Sequence, residues 1–301
     1  HRPWIPGEKY RHLYHEDLPL PETFADDYQG RPAAAAAKMR ILEDLDRGDL
    51  KADPPADITP AERKVWNYQR YMKDYLRCVA SVDSSAERLL DSLDRKGIAG
   101  DTIVIYTSDQ GFFLGDHGWY DKRFIYEESL RMPLLIRYPR EIPAGSRPEG
   151  ILTNTDFAPT LLDFAGVAIP AEMQGVSARA VLGGNTVPGW QTSVYYRYWD
   201  HGTHHNVCAH YGIRTATHKL VYYCGQARER ATASEDPKID PYWELFDLMR
   251  DPGEIHNIYH EPEKAPRIKS LMHELDRQQK HFGDEPLHEL RASEDCSSSR
   301  S

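Results

Sequence analysis

A short segment near the middle of the chain carries four side chains that could act together on an anionic group. Asp109 and Gln110 directly follow an apolar run, Ile103–Tyr106, and His117 and Lys122 come within the next thirteen residues. Carboxylate and amide oxygens are ligands that a hard cation prefers, and a lysine beside a cation stabilises negative charge. The spacing therefore predicts a metal-assisted site for a phosphate-like or sulfate-like substrate, with Asp109 and Gln110 as the metal ligands.

The elements around this segment determine where it lies. Thr102–Ser108 predicts a buried parallel strand, and open α/β sheets bind ligands just beyond the carboxyl ends of their strands. Pro133–Pro139 predicts a second buried strand. Each side chain taken alone is also typical of a turn or a solvated surface, so it is their combination at one strand tip that favours chemistry.

The remaining sequence predicts an α/β part followed by a smaller sheet. A long helix is expected from Thr59 to Gly97, because a capping threonine and a proline precede apolar residues spaced by three and four. A short Ala-rich helix is expected near 33–47. A boundary at Gly183-Gly184-Asn185 divides the chain into domains 1–185 and 186–301. The second half predicts a helix at 156–166, strands at 193–198, 212–215, 219–223 and 243–248, a helix at 262–281 and a disordered tail after Ala292.

Composition limits the classes of partner. The formal net charge is −10, which disfavours nucleic acid because repulsion from phosphates would not be offset. No apolar run approaches the 18 or more residues of a membrane span. The chain opens with His1 rather than methionine, so we expect a fragment or a processed chain.

Several motifs, in order, resemble those of the sulfatase family. S-D-Q-G at 108–111, L-G-D-H-G at 114–118, Lys122 and Y-E-E-S-L-R-M-P-L at 126–134 resemble the C-terminal signature of that family. Further matching segments are H-R-P-W at 1–4, N-T-D-F-A-P-T-L-L at 154–162, Q-G-V-S at 174–177, E-L-F-D-L at 244–248 and D-P-G-E at 251–254 with Asn257. The resemblance implies an α/β fold, the C-terminal portion of an alkaline-phosphatase-like sandwich, with a small C-terminal antiparallel-sheet subdomain.

The resemblance also implies roles for individual residues. Asp109 and Gln110 would be two of the calcium ligands, and Lys122 would contact the sulfate and its bridging oxygen. His1 would help to protonate the leaving alcohol, and His117 would be a further pocket residue that binds substrate. Sulfatases attack sulfur with a formylglycine made from the Cys or Ser of C/S-x-P/A-x-R.

That nucleophile motif is absent from the 301 residues. Cys78 is followed by V-A-S-V without an arginine, and Cys224 is followed by G-Q-A-R, with glutamine where proline or alanine belongs. The formylglycine is therefore expected outside this chain, and the chain by itself is expected to be inactive.

A histidine-rich segment, His201–Arg214, forms a second candidate site. Four histidines and a cysteine fall within ten residues, but their spacing fits no closed zinc site. The segment resembles the bacterial N-acetylglucosamine-6-sulfatase-like branch, which implies that His210 and nearby aromatic residues contact a sugar ring. The alternative is aromatic packing between subdomains.

The expected function is hydrolysis of a sulfate ester, on a sulfated carbohydrate such as 6-sulfated N-acetylglucosamine or on an aryl sulfate. One alternative is a phosphodiesterase or phosphonate hydrolase of the same superfamily. Another is a non-catalytic glycan-binding fragment. The family resemblance implies a periplasmic or extracellular location.

Overall fold

The computed structural model describes residues 2–225 and 238–284. These residues form two compact units. The first contains the described residues of His1–Asp27, Lys38–Lys122 and Glu128–Arg140, and the second contains those of Tyr28–Ala37, Arg123–Glu127 and Glu141–Ser301. The domain boundary at residue 185 stays a prediction.

The elements are short apart from two helices. The helices are α1 (Pro32–Ala36), α2 (Arg47–Leu50), α3 (Pro60–Arg95), α4 (Glu127–Leu130), α5 (Phe157–Phe164), α6 (Arg179–Leu182) and α7 (Ala265–Phe282). The strands are β1 (Val104–Thr107), β2 (Phe113–Leu114), β3 (Tyr120–Asp121), β4 (Leu134–Arg137), β5 (Ser193–Tyr198), β6 (His210–Thr215), β7 (His218–Tyr223) and β8 (Tyr242–Asp247). Across residues 2–225 and 238–284, no helix has both the length and the apolar character needed to cross a membrane.

Helix α3 is the main support of the first unit, and the structure confirms its prediction. The Thr59 side chain accepts a hydrogen bond from the Glu62 backbone N–H while the Glu62 carboxylate accepts one from the Thr59 N–H. This reciprocal cap fixes the start of the helix. The short Ala-rich helix expected near 33–47 is present but shorter than that range, because α1 ends at Ala36 and Ala37 is already extended. Five residues form too little helix to propagate without tertiary support.

Strands β1 and β4 correct the prediction of buried parallel strands. They pair antiparallel, from Val104 opposite Arg137 to Thr107 opposite Leu134, in a sheet of two strands within the described residues. Three of the four β1 residues and two of the four β4 residues are exposed. An apolar run predicts that a strand exists but contains no information on the direction of its partner.

The second unit is built on a four-stranded antiparallel sheet in the order β5-β6-β7-β8. Helix α7 contacts β5, β6 and β7. A continuous apolar core joins them, and its buried members include Ala209, Tyr211, Ile213, Leu220, Leu245, Leu271 and Leu275. The predicted strands and the late helix are confirmed. The predicted disordered tail after Ala292 lies outside the described residues.

A buried lysine on β7 organises the charged groups of this unit. The Lys219 side chain is fully buried, and its Nζ lies 2.6 Å from Glu254 Oε1 and 3.0 Å from Glu127 Oε1. It also donates a 2.6 Å hydrogen bond to the Ile125 carbonyl oxygen. Burial acts to raise the pKa of Glu127, but Lys219 and Arg214 outweigh burial and lower it. Lys219 therefore ties the Arg123–Glu127 segment and the D-P-G-E segment to the sheet.

We expect Lys219→Met to destabilise the protein by about 3–5 kcal/mol, because buried Glu254 loses its cation and Glu127 keeps only Arg214. Urea unfolding monitored by circular dichroism measures the change. The matched control is Arg250→Met, since Arg250 is 82% exposed and lies 3.9 Å from Asp247. Its free energy of unfolding should change by less than about 0.5 kcal/mol, and equal effects of the two substitutions would contradict the prediction.

Candidate functional site

The predicted metal ligands lie in the turn that follows β1. Asp109 is exposed and Gln110 is half-buried, and the Ser108 hydroxyl donates to Asp109 Oδ1 at 3.3 Å. The Gly111 N–H donates to the Ser129 carbonyl oxygen at 2.9 Å. A Cβ at position 111 would lie 2.1 Å from the Glu128 carbonyl oxygen, so this approach requires glycine. The glycine of S-D-Q-G thus fixes the turn against the backbone of the Y-E-E-S-L-R segment.

The L-G-D-H-G motif forms the hairpin between β2 and β3. Phe113 pairs with Asp121 and Leu114 with Tyr120. Gly115 has a φ of 107°, and a Cβ there would lie 2.4 Å from the Tyr68 ring of α3. The hairpin is therefore packed tightly on α3, and it places Lys122 directly after β3.

His117 lies at the tip of this hairpin with its side chain fully buried. Its Nδ1 is 2.7 Å from Asp26 Oδ2, its Nε2 is 3.8 Å from Glu128 Oε2, and its backbone N–H donates to the Thr23 hydroxyl at 2.9 Å. Burial acts to lower the pKa of His117, but Asp26 and Glu128 outweigh it and raise the pKa to about 9. These contacts support a positioning role for His117, while its contact with substrate stays a prediction.

Lys122 adjoins the N-terminal segment of the chain. Its Nζ lies 3.8 Å from Asp121 Oδ1 and 6.0 Å from the centre of the Phe112 ring. The Trp4 ring packs on that same Phe112 ring at 5.8 Å. Lys122 and the segment after His1 therefore both adjoin Phe112, which is the second residue after Gln110 in the sequence. His1 itself lies outside the described residues, and its role stays a prediction.

Charged residues that the sequence interpretation missed connect to Lys122 through Asp121. Arg2 Nε donates to Asp49 Oδ1 at 3.0 Å, and Arg2 NH1 lies 3.8 Å from Asp121 Oδ2. The position of Asp121, directly before Lys122, was the available signal. Nothing in the spacing indicated Arg2 or Asp49, because their contacts span long separations along the chain.

His210 belongs to the second unit and is also fully buried. Its Nδ1 lies 2.8 Å from the Cys208 carbonyl oxygen, and its ring stacks on Phe124 with centroids 5.6 Å apart. Tyr196, Tyr198 and Tyr223 complete an aromatic surround. Burial lowers the pKa of His210 to about 4, so the ring is neutral near pH 7. Contact of His210 with a sugar stays a prediction.

The ligand types at the S-D-Q-G turn fit calcium but form only part of a shell. Asp109 and Gln110 offer a carboxylate and an amide oxygen, whereas Ca²⁺ takes 6–8 oxygen ligands. Among residues 2–225 and 238–284, no group of three or more His, Cys, Asp or Glu side chains is arranged to hold a metal ion.

Two family models match the chain. The model described as Sulfatase matches residues 12–167, and the model described as N-sulphoglucosamine sulphohydrolase, C-terminal, matches residues 115–281. The chain is 38% identical to the N-acetylglucosamine-6-O-sulfatase of Bacteroides thetaiotaomicron, over 94% of this chain and 56% of that relative. The chain thus spans little more than half the length of this curated relative.

The chain is also similar to solved structures. BT4656, in complex with its substrate D-glucosamine-2-N,6-O-disulfate, has a TM-score of 0.83 and 38% identity, over 94% of this chain and 64% of that one. A phosphonate monoester hydrolase from Silicibacter pomeroyi has a TM-score of 0.70 at 24% identity, over 93% of this chain and 54% of that one. The second likeness shows the fold alone.

The raised pKa of His117 predicts how stability depends on pH. The folded pKa is about 9 and the ordinary value is 6.5, so the stabilisation is fully present below pH 6.5 and is lost as pH rises through 9. We expect the difference in unfolding free energy between wild type and His117→Asn to shrink over this window, from at most about 3 kcal/mol. Asparagine is chosen because it tolerates the φ of 56° at this position.

Urea unfolding at pH 6, 7.5 and 9.5 measures this difference. The matched control is His204→Asn, because His204 pairs with Asp200 at a half-exposed site. A His117→Asn difference that stays constant from pH 6 to 9.5 would contradict the assignment of a protonated, ion-paired imidazole.

Proposed function

Because this chain belongs to the sulfatase family, we propose that the protein containing it hydrolyses a sulfate monoester on a glycan such as 6-sulfated N-acetylglucosamine. The observation that carries this proposal is that Lys122 Nζ lies 6.0 Å from the ring centre of Phe112, which directly follows the S-D-Q-G turn in the sequence. The relative of 38% identity named for N-acetylglucosamine-6-O-sulfatase activity, and BT4656 with its disulfated glucosamine, support the substrate class.

Asp109 and Gln110 would hold calcium through one carboxylate and one amide oxygen. The bound ion supplies positive charge that polarises the sulfate and orients its oxygens. The amide of Gln110 adds a ligand without adding charge, so Asp109 supplies the electrostatic part of this pair. The formylglycine nucleophile and the remaining ligands would come from outside these 301 residues.

Lys122 would bind the sulfate and stabilise the charge that develops on the bridging oxygen as the S–O bond breaks. The Lys122 side chain is only 17% exposed, and the interaction of its charge with a nearby anion is stronger where less water screens it. His1 would donate the proton that the departing alkoxide requires. A sugar hydroxyl is a poor leaving group, so both contributions matter most for glycan substrates.

Two other functions are alternatives that an activity assay can distinguish from hydrolysis of a sulfate ester. A phosphonate monoester hydrolase shares this fold, but its likeness to the chain is at 24% identity. A non-catalytic glycan-binding role agrees with the absence of C/S-x-P/A-x-R from the chain. Turnover of matched sulfate, phosphate and phosphonate esters by the complete enzyme distinguishes hydrolysis of sulfate from both.

We expect Asp109→Ala to abolish sulfatase activity in the complete enzyme and to remove calcium, because the site loses a charged ligand. Gln110→Ala should be milder, because the lost ligand is neutral. Calcium content by atomic emission and turnover of a sulfated sugar should fall together. Full activity of Asp109→Ala with calcium retained would contradict the metal assignment.

We expect Lys122→Ala and His1→Ala to reduce activity most on sugar sulfates, whose alcohols leave with a high pKa. General-acid assistance contributes about 10²- to 10⁴-fold, so an aryl sulfate with an acidic phenol should lose much less. The measurement is kcat/KM on both substrate types, together with the melting temperature. Equal losses on both substrates with a lowered melting temperature would show that these residues serve the scaffold.

A further inference from the structure

We propose that Asp121 is a positioning residue for Lys122, and that Arg2 sets the net positive charge that Lys122 presents to the substrate. This inference rests on the proposed role of Lys122. It adds Asp121, which lies outside the family motifs quoted for this chain, and Arg2, which lies within the H-R-P-W segment but had no role assigned to it.

Four side chains form a row of alternating charge in the first unit. Asp49 Oδ1 accepts from Arg2 Nε at 3.0 Å, Arg2 NH1 lies 3.8 Å from Asp121 Oδ2, and Asp121 Oδ1 lies 3.8 Å from Lys122 Nζ. The two oxygens of Asp121 are thus divided between two cations. Lys122 is the last member of the row.

The Asp121 carboxylate is held firmly. Asp121 pairs with Phe113 in the β2–β3 ladder, and its φ of 75° is a left-handed conformation that surrounding structure must maintain. The preceding residue, Tyr120, donates its backbone N–H to the Met39 carbonyl oxygen and its hydroxyl to the Asp44 carbonyl oxygen. The Arg2 guanidinium carbon lies 4.5 Å from the centre of the Tyr120 ring. Arg2 therefore contacts both residues of β3.

Burial strengthens the interactions between the charges of this row. The exposed fractions of the side chains are 3% for Asp49, 10% for Asp121, 17% for Lys122 and 23% for Arg2. Pairs with so little contact with water are screened weakly by salt. The row contains two cations and two anions, so its formal charge is zero with Arg2 present and −1 without it.

Loss of the Asp121 carboxylate and loss of Arg2 should have different effects on the kinetics. Without the Asp121 carboxylate, the long Lys122 side chain loses the partner that limits its positions, and the stabilisation of the bridging oxygen falls. Without Arg2, Asp49 and Asp121 outnumber Lys122, and a sulfated substrate meets net repulsion. The first change lowers kcat on poor leaving groups, and the second raises KM.

A double-mutant cycle in the complete enzyme tests this coupling. Asp121→Asn should lower kcat/KM on a sulfated sugar by roughly 10-fold, within the range found for residues in direct contact. In a Lys122→Ala background the same substitution should have almost no effect. Arg2→Met should raise KM by roughly 10-fold with a smaller change in kcat, and Arg2→Lys should restore most of the KM because it restores the charge.

The matched control is Arg47→Met, since Arg47 also forms an arginine–aspartate pair, with Asp53 at 3.0 Å, but at an exposed site. It should leave both kinetic constants unchanged. Calcium content and melting temperature are measured for every variant. Where Asp121→Asn lowers the melting temperature, kcat on sugar and aryl sulfates at a temperature well below the transition tests the positioning role, and the Arg2→Met change in KM tests the role of Arg2 independently.

The outcomes distinguish this inference from the proposed function. Full sugar-sulfate activity of Lys122→Ala would contradict the proposed function itself. Loss of activity in Lys122→Ala, together with an Asp121→Asn effect of the same size in both backgrounds, would overturn the positioning role alone. An unchanged KM in Arg2→Met would overturn the role of Arg2.

Discussion

The buried ammonium of Lys219 is the interaction on which the second unit depends. It balances the charges of Glu127 and Glu254, two carboxylates that lie far apart in the sequence. Because the Lys219 side chain is fully buried, water does not replace these partners. Taking these groups out of water is costly, and only their mutual geometry offsets that cost. The Glu127 backbone N–H also donates to Glu254 Oε2 at 2.7 Å. Glu127 and Glu254, one residue from each of two motifs that resemble family signatures, thus belong to one buried cluster.

Local signals explain most of the fold that could be predicted. The Thr59–Glu62 cap and the spacing of apolar residues act within a few residues, so α3 was predicted with both ends nearly correct. Short runs of apolar and aromatic residues in β5 to β8 likewise predict strands from nearby sequence. The pairing of β1 with β4 joins residues about thirty positions apart. Its antiparallel direction depends on the path of the intervening chain, and an apolar run does not encode that path.

The candidate site also contains residues that local sequence could predict and residues that it could not. Asp109, Gln110 and Lys122 were recognisable because they fall within one short segment of characteristic residue types. The surroundings of His117 were not recognisable, since Asp26 is distant in sequence and burial determines the protonation of the imidazole. Arg2 and Asp49 were missed for the same reason. Residue type and spacing indicate candidate site residues, whereas the groups that contact those residues come from elsewhere in the chain.

The two-stranded sheet of β1 and β4 has a consequence for how ligand binding and order are linked. A pair of strands has little stability of its own in water, and β1 leads directly into the turn that carries Asp109 and Gln110. An ion bound by that turn favours the paired state of the strands by mass action. Conversely, any partner that covers the exposed Tyr106 and Leu135 side chains orders the turn before the ion arrives. Under the proposed metal assignment, ion affinity at the turn and burial of the sheet would be thermodynamically reciprocal, so a change in one would alter the other.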